Sequence, residues 1–103
     1  MRKKNIKHID FAALNAVCMS RLEGLLATWL PDGELQGREW VSLNPTRADK
    51  HRGSFRINVN TGRWADFATS DKGSDPISLY AYVNGLSQSR AALELKQQFG
   101  IST

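Results

Sequence analysis

Six cationic side chains and two tryptophans carry most of the chemistry this sequence can offer. Arg47, Lys50, Arg52, Arg56 and Arg63 fall within the stretch "NPTRADKHRGSFRINVNTGRWADF", and Lys72 follows shortly after it. Asp49 is the single acid between Arg47 and Arg63. Cations spaced along a surface bind phosphates, and arginine adds a planar fork and a face for stacking. A single-stranded nucleic acid also needs aromatic platforms for its bases. Trp64 follows Arg63 directly, and Trp40 lies upstream. The candidate surface is therefore Arg47, Lys50, Arg52, Arg56, Arg63 and Lys72 for phosphates, with Trp64 and Trp40 for bases. The same pattern fits the solvated face of an ordinary hairpin, with both tryptophans in the core.

Other chemistries find less support. His8, His51 and Cys18 are the nitrogen and sulfur ligands, and they are scattered without paired spacing. A structural zinc needs four ligands, so no zinc site is expected within the chain. Asp66, Asp71 and Asp75 could hold Mg²⁺, but acids in a polar turn are more often solvated or capping groups. There is no G-x-S-x-G elbow and no glycine-rich phosphate loop. His51 reads as an exposed loop residue and Cys18 as a small buried hydrophobe. The expectation is a non-catalytic chain with no cofactor and no metal.

These residues need elements to hold them. Phe11, Leu14, Cys18, Leu22, Leu25 and Trp29 recur at spacings of three and four and predict one long helix over 11–30. Asp10 is its N-cap, and Pro31 and Gly33 stop it. Residues 38–43 and 54–60 read as strands. In the second, Phe55, Ile57 and Val59 face one side, with Ser54, Arg56 and Asn58 on the other. "NTG" is a turn and "RWADFA" returns as a third strand. A two-residue loop puts Trp64 with Phe55 and Ile57, and a three-residue loop puts it with Arg56. Residues 69–75 form a polar turn. Asp75 caps a helix starting at Pro76 and ended by Gly85; Ser87 caps a last helix closed by Gly100.

The chain has 103 residues, 41% of them hydrophobic and 23% charged, which suits one packed domain rather than a disordered segment. Its net charge of +4 favours an anionic partner. One cysteine excludes an internal disulfide. No apolar run approaches a membrane span, so a cytoplasmic protein without membrane partners is expected. Residues 1–8, "MRKKNIKH", read as a basic flexible tail on a single domain over 9–103.

Over about residues 38–99 the sequence resembles the N-terminal zinc-ribbon domain of bacterial and phage DNA primases. Gly53, Ser54 and Phe55 stand where that family has Pro-Ser-Phe. Trp64 and Phe67 match the aromatic positions of its Cys-containing strand, and Gly73, Asp75 and Ile77 follow. Leu86 and Ser87 open the last helix. The zinc ligands are absent: Asp66 and Thr69 occupy the Cys-x-x-Cys positions, and Asn44 and Pro45 stand near the first Cys-Pro. The resemblance implies a zinc-free relative, as in primase-like proteins of phages, plasmids and integrated elements.

The fold expected is α+β: a small antiparallel sheet of about three strands, zinc-ribbon-like without zinc. A long N-terminal helix and two short C-terminal helices flank it. Leu22, Leu25 and Trp29 would pack on Phe55, Ile57 and Phe67, while Asp66 and Thr69 would hold the loops by hydrogen bonds. The function expected is binding of single-stranded DNA, or RNA, as a template domain of a primase or replication protein. A replicative helicase or a primase catalytic domain would be its protein partner. The alternative is a protein-interaction adaptor docking to a helicase, a polymerase or itself.

Overall fold

A computed structural model of the protein describes residues 9–100. Asp10 Oδ1 accepts the Ala13 N–H and starts helix α1 (Phe11–Ser20). Arg21, at φ −137°, interrupts the helix, and α2 (Leu22–Trp29) follows. The expected single helix over 11–30 is thus two. The buried residues explain the break. Leu14, Cys18, Leu22, Leu26 and Leu30 are all buried, each four positions after the last. A step of four overshoots a helical turn by about 40°, so a straight helix would swing this line about 160° around its axis. The break lets one end face each of two clusters. Leu14 and Cys18 pack with Ile77, Tyr80, Ala91 and Leu95, while Leu22, Leu26 and Leu30 pack with Phe55, Ile57, Trp64 and Leu79. Leu26, rather than Leu25, enters the core beside the sheet.

The sheet is an antiparallel meander of five strands in chain order. They are β1 (Glu34–Gln36), β2 (Glu39–Ser42), β3 (Phe55–Asn58), β4 (Trp64–Asp66) and β5 (Asp71–Gly73). The two strands beyond the three expected are the edges. β1 is "ELQ", wholly exposed, and β5 is "DKG", exposed at its first two residues. Neither carries an apolar alternation; both are held by pairing with a neighbour, which no local pattern announces.

Two more helices follow among the described residues, α3 (Pro76–Asn84) and α4 (Gln88–Phe99). Asp75 and Ser78 form a reciprocal capping box at the start of α3, with Pro76 in its first turn. Ser87 Oγ accepts the Arg90 N–H to start α4. Gly85 and Gly100 close the two helices in the left-handed conformation.

Register settles which side chains share a face. Ile57 pairs with Trp64 and Phe55 with Asp66. Trp40 pairs with Ile57 and Ser42 with Phe55. These six form the side on which α2 and α3 pack. Glu39, Val41, Arg56, Asn58, Ala65 and Lys72 point the other way. The β3–β4 turn that sets this register is closed by Asn58 N–H to the Arg63 carbonyl, 2.8 Å. Asn58 Oδ1 accepts the Asn60 and Thr61 N–H groups. Gly62 takes φ +80°, and a Cβ there would lie 2.9 Å from Met19 Sδ, so the turn is seated against α1. Among the described residues no helix is long and apolar enough to cross a membrane.

Candidate nucleic-acid interface

Ala65 lies on β4, on the open sheet face. Its cross-strand partners are Arg56 on β3 and Lys72 on β5. Arg63 and Phe67 lie two residues before and after it, on the same side by strand alternation. Pairing continues through both positions: the Arg63 carbonyl accepts the Asn58 N–H, and the Phe67 N–H donates to the Ser54 carbonyl at 2.9 Å. Three long cations and one aromatic ring therefore stand around a methyl group. They line an open concavity of about 340 Å³, together with Glu39, Asn58, Thr61, Trp64 and Gly73.

Phe67 corrects the expected core. It is 71% exposed, because the register that takes Trp64 and Asp66 inward sends Ala65 and Phe67 outward. Trp64 is corrected in the opposite direction. It is only 5% exposed, lies 4.6 Å from the Tyr82 ring and meets the Phe55 ring edge-on at 6.2 Å. Its Nε1 donates to Ser78 Oγ at 2.9 Å. Gly73 permits this packing, since a Cβ there would lie 2.6 Å from Ser78 Oγ. Trp64 is thus a core residue: part of it lines the concavity, but its ring is packed against Phe55 and Tyr82 rather than presented for stacking. Trp40 also lies on the helix-covered side, half-buried, with Nε1 donating to the Leu30 carbonyl at 3.1 Å. The ring that the open face presents is Phe67, which the pattern of tryptophans among cations does not reveal.

The six expected cations divide into two groups. Arg56, Arg63 and Lys72 share the concavity. Arg56 donates through Nε to the Gly53 carbonyl at 2.7 Å and through Nη1 to Glu39 at 2.9 Å. Arg63 and Lys72 are exposed and enter no ion pair with the described residues. Arg47, Lys50 and Arg52 belong to the β2–β3 loop. Arg52 reaches back to Glu34 on β1 at 3.4 Å, and Lys50 is exposed. Arg47 is a correction: its guanidinium serves the fold rather than a phosphate.

Arg47 binds Asp66 through two nitrogens, Nε to Oδ2 at 3.0 Å and Nη2 to Oδ1 at 3.3 Å. Asp66 is fully buried. It also accepts Asn44 Nδ2 at 2.7 Å and the Ala68 N–H at 2.8 Å. Asn44 Nδ2 donates as well to the Tyr82 hydroxyl, which in turn donates to Asp71. Arg47 adds Ser54 Oγ and the Asp49 carboxylate. The network ties the β2–β3 loop to β4, β5 and α3. Every buried side-chain nitrogen and oxygen among the described residues has a partner. Burial pushes the Asp66 carboxyl up, but the bonds from Arg47, Asn44 and the Ala68 N–H outweigh it, leaving a pKa of about 2.

That value lies below the ordinary 3.8, so Asp66 contributes stability that is complete above the ordinary value and lost as pH falls toward 2. The urea midpoint of the native chain is expected to fall between about pH 4 and 2 more steeply than that of Asp66→Asn. Parallel curves for the two proteins would deny Asp66 this role.

The remaining candidates are engaged elsewhere. Asp75 caps α3 and Asp71 accepts the Tyr82 hydroxyl. Thr69 Oγ1 accepts the Asp71 N–H at 3.2 Å and supports the β4–β5 turn. Among the described residues no three His, Cys, Asp or Glu side chains are grouped to hold a metal ion. Cys18 is buried, and burial pushes its thiol up to about 11, which makes it a poor nucleophile. The basic segment 1–8 lies outside the described residues. Comparison of the chain with family models, curated proteins and solved structures found no match.

Proposed function

We propose that this chain is a non-catalytic nucleic-acid-binding domain that holds single-stranded DNA, or RNA, across the open face of its sheet. One observation carries the reading: Arg56, Arg63 and Lys72 stand with the exposed Phe67 around the small side chain of Ala65. Arg63 and Lys72 supply phosphate contacts, Arg56 adds a donor beside Glu39, and the phenyl ring supplies a stacking platform. Ala65 leaves the space between them open. A paired base within a duplex is stacked on both sides and cannot lie on Phe67, so the site suits an unpaired strand.

The primase resemblance supports a template-binding role. Asn44 and Asp66, which stand at or near expected zinc-ligand positions, are joined at 2.7 Å. A network of hydrogen bonds and an arginine can fix the loops that a metal would otherwise hold. The chain is then the template-binding domain of a primase or replication protein of a mobile element. Polymerisation belongs to a separate catalytic domain, with that domain or a replicative helicase as partner.

Salt dependence tests the reading. Two phosphate contacts on a single strand, from Arg63 and Lys72, give a slope of log K against log salt of about −1.4. Arg63→Ala and Lys72→Ala should each reduce that slope by about 0.7 and weaken all sequences alike. Fluorescence anisotropy with a labelled oligonucleotide measures both. Absence of binding at low salt would overturn the proposal. It would leave the adaptor reading, which is favoured by Leu35, 43% exposed on the open edge strand β1.

A further inference from the structure

Glu39 is a carboxylate on a face otherwise built for phosphates. It lines the same concavity as Arg56, Arg63, Phe67 and Lys72. Its side chain is 36% exposed, and Oε1 lies 2.9 Å from Arg56 Nη1. Oε2 makes no hydrogen bond with the described residues, and neither does Arg56 Nη2. Glu39 therefore keeps an unengaged acceptor and Arg56 an unengaged donor, on two side chains joined at 2.9 Å. A carboxylate repels a phosphate, so Glu39 works against the backbone of a bound strand. It accepts hydrogen bonds and donates none, so it suits a base edge that offers donors.

The four bases differ sharply by that criterion. Thymine and uracil offer one ring N–H between two carbonyl oxygens. Cytosine and adenine each offer an amino group beside a bare ring nitrogen, whose lone pair faces the carboxylate. Guanine alone places two adjacent donors, N1–H and the 2-amino group, next to an acceptor, O6. Carboxylate and guanidinium side by side match this order of groups.

We propose that the Glu39–Arg56 pair reads guanine, Glu39 accepting from N1–H and the 2-amino group while Arg56 donates to O6. The inference rests on the reading of the open face as a single-strand site. Glu39 is then a specificity residue, and its contribution to affinity has opposite signs for different sequences. It favours a strand carrying guanine and opposes one without it.

The test uses three short labelled oligonucleotides: all thymidine, thymidine with guanosine at every third position, and the same with inosine for guanosine. Inosine keeps N1–H and O6 but lacks the 2-amino group. The native chain is expected to bind the guanosine strand about tenfold more tightly than all-thymidine, with inosine falling between. Glu39→Gln should bind the first two within about twofold of each other, through weaker guanosine binding and unchanged or tighter thymidine binding. Equal affinity of the native chain for guanosine and thymidine strands would overturn the guanine inference and leave the single-strand reading intact. Survival of the preference in Glu39→Gln would remove Glu39 from it. Failure of all three strands to bind would remove both.

Discussion

Replacing Asp66 with alanine is expected to destabilise the domain by about 2–3 kcal/mol, the cost of stranding the groups that donate to it and of breaking its ion pair with the half-buried Arg47. Small domains have about 5–15 kcal/mol of stability in all, so the variant should lose a substantial share of it. Asp66 is fully buried and accepts from Arg47, Asn44 and a backbone N–H at once. Alanine leaves the Arg47 Nε and the Ala68 N–H without their acceptor and loosens the β2–β3 loop from β4. Asp66→Asn keeps the shape and one acceptor but turns an amide toward other donors, so it should fall between alanine and the native chain. Urea denaturation at neutral pH measures the series. A loss under about 1 kcal/mol for alanine would mean that this network is not what holds the loops.

The second large effect separates two neighbouring aromatic residues. Trp64→Ala should cost about 3–5 kcal/mol of stability, as for other buried tryptophans. It removes a ring packed against both Phe55 and Tyr82 and a hydrogen bond to Ser78. Phe67→Ala, three residues later, should change stability by no more than about 0.5 kcal/mol because the side chain is exposed. It should nevertheless weaken single-strand binding about tenfold or more, the usual worth of one stacked base. Phe67→Trp should keep or strengthen binding and report it by quenching of the indole on contact with a base. Stability and oligonucleotide affinity measured on the same preparations decide the matter. If Phe67→Ala bound as the native chain does, Phe67 would not be the platform.

Much of the chain's local structure could be read in advance. Asp10, Asp75 and Ser87 cap their helices, and Gly85 and Gly100 close the last two. Each of these signals acts within one turn of backbone, where a side chain and its partner are three or four residues apart. The alternation of Phe55 and Ile57 with Arg56 likewise fixed which way Arg56 points once β3 existed.

What could not be read lay in contacts between distant segments. The break at Arg21 answers two clusters that form only when α3, α4 and the sheet are in place. β1 and β5 exist because β2 and β4 offer them hydrogen bonds, and nothing in "ELQ" or "DKG" demands a strand. Arg47 resembles a phosphate ligand until Asp66, nineteen positions away, is found beside it.

From its own residues, then, the sequence determined an α+β domain with capped helices, a basic hairpin and an apolar β3. Only the tertiary structure decided that Trp64 lies inside and Phe67 outside. It also decided that Arg56, Arg63 and Lys72 share one face while Arg47 braces a loop. The physical reason is register. One residue of slip in the β3–β4 pairing exchanges the two faces of a strand, and that choice depends on how the turn packs against α1 and α3.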